Sequence, residues 1–549
     1  IDIPVAERAG LAARLASILQ LDPTSTAALA ARLDSTASYV VLADQLTSAQ
    51  SAAVQSGLDD GSLTELELAP EAVRVYPNPG GAPGTSLASQ LLGFVNSDDQ
   101  GQYGVEQRYQ ALLAGQPRTE VAEVGAGGDA IPGTEAVTDP GQPGQNLVLT
   151  VDAGLQLAVE KELNATWIAD GAASASAIVM DASSGAVLAW ASEPSYDANS
   201  YATVAQRDPA AFVDPLISRV YEPGSVMKMF TATAAIGKGV VTPNTLINDS
   251  GVMQVGPVQI ADANRSAMGM IPFEKVIAYS RNVGAARVAA MLGKTVDSAS
   301  ASLYATWTQL GIGQPTGVDL AGELPGLVTD PTADPWTAVD LANHSFGQGV
   351  AVTLAQLARG YAAMANGGKL VQPHVVEEVG QQQALVAAPE QVLTPSLSAT
   401  LTRLMRYTVT TVPWYADWTL IPGYLVGGKT GTAQIWDSRA GAWMSNQFDF
   451  TFIGYLGRQR PEYVIAVEID HGHPDILAQG VFQQNITTNE LFRRIARDAI
   501  QSLDLAPLPR SASVPPASPG FPDLPTPPPT TVPPWSGEVP VTTASPGSP

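Results

Sequence analysis

The sequence predicts an α+β fold in which an antiparallel sheet is covered by helices. Two alternating apolar runs, 177–180 and 186–191, flank the turn Ser183-Ser-Gly185 and predict a hairpin. Three more strand-like runs lie far downstream, at 426–435, 450–456 and 463–469, and mostly helical sequence separates them from the hairpin. Strands at both ends of a domain, with helices between them, are typical of a layered α+β domain.

The elements that bound this domain can be placed in chain order. A strand is predicted at 146–152, and an amphipathic helix follows at 155–163. A closing helix is predicted at 489–500. These limits predict a domain over residues 146–505.

The sequence on either side of that domain has a different character. Residues 1–60 are rich in Ala and Leu with helical spacing, whereas residues 76–144 are rich in Gly and Pro with extended segments such as 119–124. They predict an N-terminal module over residues 1–145 whose second part is elongated and β-rich. Residues 506–549 are dominated by Pro, Ser and Thr, a composition that cannot bury enough apolar surface to fold, so a disordered tail is predicted.

Composition excludes several classes of function. The chain of 549 residues has no Cys, which excludes disulfide scaffolds, thiolate metal sites and cysteine catalysis. Its net charge of −24 opposes binding to nucleic acid. The His471-Gly-His473 pair is too isolated to indicate a metal site, and no Gly-rich nucleotide loop is present. We therefore predict no metal, no cofactor and no nucleic-acid partner.

Three short motifs predict a serine acyl-transfer site. They are Ser225-Val-Met-Lys228, Ser280-Arg-Asn282 and Lys429-Thr-Gly-Thr432, in this order along the chain. Each motif alone occurs often by chance, but the ordered set matches the signature of penicillin-binding proteins and serine β-lactamases. The Pro223-Gly224 pair followed by an apolar run places Ser225 at a helix start.

The residue types of the first motif suit nucleophilic catalysis. A serine hydroxyl is a weak nucleophile until a base accepts its proton, and a lysine whose pKa is lowered by burial can be that base. Residues three apart share a helix face, so Lys228 is expected one turn below Ser225. The alternative is a capping serine beside a solvated lysine, but the apolar neighbours Met227, Met229 and Phe230 oppose it.

The longer motif contexts resemble the class B penicillin-binding proteins. These contexts are Tyr221-Glu-Pro-Gly-Ser-Val-Met-Lys-Met-Phe230, Gly428-Lys-Thr-Gly-Thr-Ala-Gln434 and Ser345-Phe-Gly-Gln-Gly349. The resemblance covers roughly residues 76–503. It implies a penicilloyl-serine transferase domain with an all-helical half, preceded by a pedestal or dimerisation-type module.

The resemblance also implies roles for the remaining site residues. Ser225 would be the nucleophile, Lys228 its base, and Ser280 a proton relay to the leaving amine. Asn282 would hold the substrate's amide, with Arg281 pointing away from the cleft. The third motif would bind the terminal carboxylate on an edge strand through Lys429, Thr430 and Thr432, and Gly431 would let the strand approach the substrate. The backbone N–H groups of Ser225 and Thr432 would form the oxyanion hole.

The implied function is a peptidoglycan D,D-transpeptidase that cross-links stem peptides with release of D-Ala. β-Lactam antibiotics would acylate it, and a membrane peptidoglycan glycosyltransferase is the implied partner of the pedestal. No apolar run reaches the ~18 residues of a membrane span. Class B members carry one N-terminal membrane helix, so the resemblance implies an ectodomain at the extracytoplasmic face of the cell membrane whose anchoring helix is missing from this sequence; a cleaved signal peptide would give the same observation.

Three alternatives stay open at this point. A serine β-lactamase shares the three motifs but is about half as long. A β-lactam-sensing module shares the fold but needs a signalling half. The pedestal could also serve mainly to activate a glycosyltransferase, with catalysis secondary.

Overall fold

The computed structural model describes residues 3–35, 37, 40–44, 46–69, 73–125, 131, 133–437, 439–472 and 486–508. The predicted tail from residue 509 onward and His473 lie outside the described residues. Contacts divide the chain into two compact units, Ile1–Val75 and Tyr76–Pro549. The domain boundary at residues 145 and 146 stays a prediction. No helix within the described ranges has both the length and the apolar character that crossing a membrane requires.

The first unit contains short helices packed on one small core. The helices are α1 (Val5–Leu19), α2 (Pro23–Leu33) and α3 (Ser48–Asp59). Local sequence starts two of them: the Asp22 carboxylate accepts hydrogen bonds from the first backbone N–H groups of α2, and Thr47 with Gln50 forms a capping box on α3. Leu11, Leu15, Leu29, Leu33 and Val54 are buried together, which confirms the predicted helical spacing.

The second unit opens with short helices and short strand pairs. Its first elements are α4 (Ser89–Leu92), β1 (Phe94–Val95), β2 (Gly101–Gln102), α5 (Gly104–Arg108), α6 (Gln110–Leu113), β3 (Thr119–Val121), β4 (Ala136–Asp139) and β5 (Leu147–Leu149). Strand β1 pairs with β2, and β3 pairs with β4, both antiparallel. The predicted extended segment 119–124 thus contains a strand.

The rest of this unit alternates a sheet with a large helical insertion. The elements before the insertion and in its first part are α7 (Ala153–Asp170), β6 (Ser174–Asp181), β7 (Val187–Glu193), α8 (Tyr201–Arg207), α9 (Pro215–Ser218), α10 (Lys228–Gly237), β8 (Leu246–Asp249), β9 (Val252–Val255), β10 (Val258–Ala261) and β11 (Gly269–Pro272). The elements of its second part are α11 (Phe273–Ala278), α12 (Asn282–Ala290), α13 (Val296–Gln309), α14 (Ala338–His344), α15 (Leu354–Ala365), β12 (Lys369–Leu370), β13 (Val376–Val379), β14 (Gln382–Gln383), β15 (Glu390–Gln391), α16 (Pro395–Thr411) and α17 (Pro413–Thr419). The chain then returns to the sheet with β16 (Leu425–Asp437), β17 (Ala442–Gly457) and β18 (Pro461–Gly472), and helix α18 (Thr488–Ser502) follows.

The central sheet has five antiparallel strands in the order β16-β17-β18-β6-β7. All five had been predicted from alternation, and β16, which carries the third motif, lies at an edge. The strand predicted at 146–152 forms as β5, but it pairs with β13 rather than with this sheet.

Both faces of the sheet are buried, which fixes the register of its strands. On one face Val179, Phe452 and Ile465 pack against α7 and α18. On the other face Ile178 and Ile453 join the core of the helical half. Because neighbouring strand residues point to opposite faces, a slip of one residue would exchange the two cores. The edge strand that carries the third motif therefore has a defined position.

Candidate active site

The first motif lies on a tight turn that leads into α10. Residues Gly224–Met227 form a 3₁₀ helix, and the α-helix begins only at Lys228. The sequence had placed Ser225 at a helix start, and the structure refines this to a 3₁₀ turn. Side chains three residues apart eclipse one another in such a turn, so Lys228 lies directly beneath Ser225. Ser225 is half-buried, whereas Lys228 is fully buried.

The Lys228 amine contacts Ser225 of its own motif and both Ser280 and Asn282 of the second motif. Its Nζ lies 2.8 Å from Ser225 Oγ, 2.7 Å from the Ser280 carbonyl oxygen and 2.7 Å from Asn282 Oδ1. The two carbonyl-type oxygens can only accept hydrogen bonds, so they take two N–H groups of the amine. A neutral amine then has one lone pair left, and Ser225 is the hydroxyl placed to donate to it.

The second motif is held by a buried charge cluster behind it. Ser280 lies between α11 and α12, Asn282 is the first residue of α12, and the buried Arg281 points away from Ser225 into the protein. The Arg281 guanidinium bonds Asp249 at 2.6 Å and Asp262 at 3.1 Å. Asp262 in turn accepts from the backbone N–H groups of Asn282 and Val283, so it caps α12. This cluster fixes the direction of the Asn282 side chain.

Asn282 uses its amide differently from the role that the resemblance implied. Its Oδ1 accepts from Lys228, and its Nδ2 donates to the Ala261 carbonyl oxygen at 2.9 Å. An amide nitrogen has two N–H groups, so one is left for a substrate. Contact with the substrate's amide stays a prediction, while orientation of Lys228 is what the structure shows.

The third motif approaches the same point from the edge of the sheet. Lys429 is fully buried, and its Nζ lies 2.9 Å from Ser280 Oγ and 3.0 Å from the Thr430 carbonyl oxygen. Ser280 Oγ is also 3.1 Å from Lys228 Nζ. The Ser280 hydroxyl therefore bridges two buried amines that come from distant parts of the chain.

Gly431 makes a close contact that the sequence did not predict, while its role in letting β16 approach the substrate stays a prediction. A Cβ at this position would lie 2.6 Å from the Pro223 carbonyl oxygen. It would also lie 3.2 Å from Val226 Cγ1. The missing side chain thus lets the nucleophile turn pack directly on the edge strand. This packing sets the distance between the first and third motifs.

The two threonines of the third motif differ in their surroundings. Thr432 is exposed, and its backbone lies against the turn that carries Ser225, since a Cβ on Gly224 would be 2.7 Å from the Thr432 carbonyl oxygen. Thr430 is half-buried, and its Oγ1 lies 2.9 Å from Tyr415 Oη. The oxyanion-hole role of the Ser225 and Thr432 backbone N–H groups stays a prediction that this proximity suits.

Burial controls the charge of both lysines. Burial first, and then repulsion by the charge of Lys429, holds the pKa of Lys228 well below its ordinary value. Burial also lowers the pKa of Lys429 to about 7. Near neutral pH the site can therefore hold a neutral Lys228 that accepts a proton, next to a Lys429 that is partly charged.

The segment before the nucleophile is tied to the sheet by an ionic cluster. The Arg219 guanidinium bonds Glu468 and lies 3.1 Å from Asp470, and Tyr221 Oη lies 3.2 Å from Thr451 Oγ1. Burial, and then the hydrogen bond with Asp470, raises the pKa of Asp449 to about 9. These contacts fix the start of the segment that ends at Ser225.

This cluster is also the one group among the described residues whose side chains could together hold a metal ion. One ligand atom each of Asp449, Asp470 and His471 lies within 4.8 Å of the other two. However, Arg219 already lies among these carboxylates as their counter-charge. The pairing of these carboxylates with Arg219 therefore explains why they lie together without the need for a metal ion.

Sequence reasoning found the residues that meet at Ser225 but missed their supports. Asp262, Arg219 and Tyr415 have no motif around them, and their roles depend on contacts between segments far apart in the chain. The Ser345-Phe-Gly-Gln-Gly349 segment had been noted, and the structure explains it: the Gly224 N–H donates to the Gly347 carbonyl oxygen at 3.1 Å. A Cβ on Gly347 would lie 2.1 Å from the Gly224 carbonyl oxygen.

Comparison with known protein families identifies this arrangement. Residues 175–496, more than half of the chain, match the family model of the penicillin binding protein transpeptidase domain. Residues 4–149 match the penicillin-binding protein dimerisation domain. The chain belongs to the class B penicillin-binding proteins. The predicted family and fold class are thereby confirmed.

Individual relatives agree with this assignment. The chain is 30% identical to the penicillin-binding protein PbpB of Mycobacterium tuberculosis over 473 residues, which are 84% of this chain and 66% of that protein. It is 31% identical to the peptidoglycan D,D-transpeptidase FtsI of Escherichia coli over 372 residues, or 68% of this chain and 58% of that protein. The matched region thus spans less than two thirds of either relative.

Solved structures resemble the chain over most of its length. One is penicillin binding protein 3 from Mycobacterium tuberculosis complexed with aztreonam, with a TM-score of 0.65 and 28% identity over 78% of this chain and 90% of that one. Another is penicillin binding protein 2X from Streptococcus thermophilus, with a TM-score of 0.68 and 23% identity over 92% of this chain and 74% of that one. At that lower identity the second likeness shows the fold alone.

The buried Lys429 predicts a specific dependence of stability on pH. Its pKa is about 7 in the folded chain and about 10.4 in an unfolded one, so between these values the unfolded chain binds more protons. The free energy of unfolding should therefore rise with pH above 7, by up to about 1.4 kcal/mol per pH unit from this group. Lys429→Met should remove this rise.

Chemical unfolding at pH 7 and pH 9 measures the effect. We expect the unfolding free energy of the wild type, relative to Lys429→Met, to increase by about 2–3 kcal/mol over this range. Lys161→Met, which changes an exposed lysine on α7, is the control and should leave the wild-type pH dependence unchanged. Equal pH dependence in the wild type and Lys429→Met would contradict the lowered pKa.

Proposed function

We propose that this chain is a peptidoglycan D,D-transpeptidase that forms an acyl-enzyme on Ser225. The observation that carries the proposal is the chain of contacts Ser225 Oγ, Lys228 Nζ, Ser280 Oγ and Lys429 Nζ, with successive distances of 2.8, 3.1 and 2.9 Å. A nucleophile, a base and a relay are thus in hydrogen-bond contact before any substrate binds. The relatives whose names include this activity support the substrate class.

The first step is acylation. The Ser225 hydroxyl gives its proton to the lone pair of neutral Lys228 as Oγ attacks the carbonyl carbon of the penultimate D-Ala. The developing oxyanion is stabilised by the backbone N–H groups of Ser225 and Thr432, each such donor being worth about 2.7–4 kcal/mol in other hydrolases. The C–N bond then breaks, and the leaving D-Ala nitrogen takes a proton through Ser280. The proton that Lys228 received from Ser225 thus reaches the leaving amine through the Ser280 hydroxyl.

The second step transfers the acyl group. An amine of a neighbouring stem peptide attacks the ester carbonyl carbon and loses a proton through Ser280 to Lys228; the ester C–O bond then breaks, and Lys228 returns that proton to Ser225 Oγ. A β-lactam enters at the first step, and its ring opening leaves the amine tethered to the acyl group. The tethered leaving group occupies the side from which the acceptor amine would come, so the adduct persists.

The third motif selects substrates by their terminal carboxylate. Lys429 supplies a partial positive charge, and Thr430 and Thr432 supply hydroxyl donors along the edge strand. Hydrogen bonds to a charged group are stronger than bonds between neutral groups. We further propose that the N-terminal module contacts a membrane peptidoglycan glycosyltransferase and that the chain works at the extracytoplasmic face of the membrane, where its substrate lies.

The nucleophile can be tested by covalent labelling. Incubation with a fluorescent penicillin should label the protein, and mass spectrometry should place the adduct on Ser225. Ser225→Ala should abolish labelling, whereas Ser218→Ala, which removes a hydroxyl bonded to the Gly322 carbonyl oxygen, should keep it. A label that survives in Ser225→Ala would remove the proposal. The same experiment gives the adduct's lifetime, which is long for a transpeptidase and short for a β-lactamase.

The base can be tested with Lys228→Arg. A guanidinium keeps the charge but does not release its proton near neutral pH, so the acylation rate should fall by far more than tenfold. Lys238→Arg changes a lysine at the exposed end of α10 and is the matched control, with an unchanged rate expected. A fall of less than about tenfold, or roughly 1.4 kcal/mol, in Lys228→Arg would mean that another group accepts the proton.

The carboxylate role of Thr430 can be tested by a double-mutant cycle. Thr430→Val removes a hydrogen bond worth about 1.5–3 kcal/mol, so acylation by a penicillin should fall roughly ten- to hundredfold. The analogue in which the penicillin carboxylate is a carboxamide has lost the charge and offers a weaker acceptor, so the mutation should slow it much less. Strictly additive losses would show that Thr430 does not contact the carboxylate.

A further inference from the structure

Thr430 has two hydrogen-bond neighbours before any substrate binds. Its Oγ1 lies 2.9 Å from Tyr415 Oη and 3.4 Å from Lys429 Nζ. A threonine hydroxyl has one proton to donate and two lone pairs that accept. To bind a carboxylate it must give its proton to that carboxylate, so both neighbours have to be donors.

The direction of the hydrogen bond between Tyr415 and Thr430 therefore decides whether the clamp works. If Thr430 donated to Tyr415, its only proton would be used and its lone pairs would face the incoming carboxylate, which repels them. Among the described residues, Thr430 Oγ1 is the acceptor found for the Tyr415 hydroxyl, since the indole N–H of Trp414, its other hydrogen-bond neighbour, can only donate. In the reverse direction the phenol proton would have no protein acceptor there, a costly arrangement for a half-buried group.

We propose that Tyr415 is a positioning residue of the carboxylate site: its phenol donates to Thr430 Oγ1 and thereby turns the Thr430 proton toward the substrate's carboxylate. The Lys429 amine, 3.4 Å away, faces the second lone pair of Thr430 Oγ1. The threonine proton can then point only toward the cleft. The inference rests on the proposed function, since it assigns a residue to the binding of that substrate. No motif includes Tyr415.

The surroundings of Tyr415 suit a fixed donor. It lies on α17, whose last residue, Thr419, accepts a hydrogen bond at 3.0 Å from Asn489 Nδ2 of α18. Arg493 of α18 also donates to the Asp417 carbonyl oxygen at 2.6 Å. The short helix is therefore held at both its middle and its end, which fixes the backbone position of Tyr415 relative to α18.

The protonation of the phenol agrees with this direction. Burial raises the pKa of Tyr415, against smaller opposite effects of hydrogen bonds with Thr430 and Trp414. The phenol thus keeps its proton at every pH at which the lysines of the site titrate. It is therefore a donor near neutral pH, where acylation is measured.

Tyr415→Phe tests the inference because it removes the donor and keeps the ring. Acylation of Ser225 by a penicillin should slow about three- to tenfold, the effect of one ordinary hydrogen bond. Acylation by the carboxamide analogue should slow much less, because its neutral amide oxygen is a weaker acceptor of the Thr430 proton than a carboxylate. Tyr424→Phe is the matched control: it removes a hydroxyl bonded to the Leu505 carbonyl oxygen, away from Thr430, and should not alter either rate.

The Thr430→Val background separates positioning from support of the fold. With no hydroxyl left to orient, Tyr415→Phe should add no further loss in this background. A loss that persists there, or equal slowing of both penicillins, would mean that Tyr415 supports the structure only and would overturn the proposal. An unchanged rate in Tyr415→Phe would overturn it as well.

Failure of this inference can be distinguished from failure of the proposed function. If wild-type protein forms the Ser225 adduct but Tyr415→Phe acylates like the wild type, only the role of Tyr415 is lost. If the wild type forms no adduct on Ser225, the proposed function falls, and the inference falls with it.

Discussion

The buried Lys228 amine is the contact on which the rest of the site depends. Removing a lysine from water disfavours its charged form, and the nearby Lys429 disfavours it further. A neutral amine has two N–H groups, which two fixed oxygens of the second motif can accept. The lone pair is then directed at Ser225. The charge state and the direction of the base thus follow from one set of contacts.

Each partner of that amine is positioned by a different device. The missing side chain at Gly431 lets the nucleophile turn rest on the edge strand, and the strand's own position follows from a sheet buried on both faces. The second motif is held by Arg281 and Asp262, whose charges are paired inside the protein. Catalytic groups must be held within fractions of an ångström, and packed backbone with paired charges does this better than mobile loops.

Much of the fold could be read from local patterns. All five strands of the central sheet, the first helices and the three motifs depend on alternation, helical spacing and short residue strings, which are local properties. The 3₁₀ turn at Ser225 and the pairing of β5 with β13 were not predicted, because both depend on which segments meet in space. The contact of Gly431 with Pro223 and the use of both amide atoms of Asn282 have the same cause. Single polar residues such as Asp262 and Tyr415 leave no pattern at all.

The site has a buried side, which contains the two lysines, and a side that faces solvent, which contains the hydroxyl groups that meet the substrate. Lys228 and Lys429 have no exposed surface, whereas Ser225, Thr430 and Thr432 reach the solvent side. A base must be neutral to accept a proton, and burial, together with the nearby charge of Lys429, favours that state of Lys228. A carboxylate, however, must arrive hydrated and be recognised by groups that it can reach, and hydroxyl donors serve this without a further buried charge.

The Ser280 hydroxyl joins the two sides, since it contacts both amines while its residue is half-buried. A neutral hydroxyl is suited to this position, because it can accept hydrogen bonds from the amines and still has its own proton to pass on, which a fixed charge could not do.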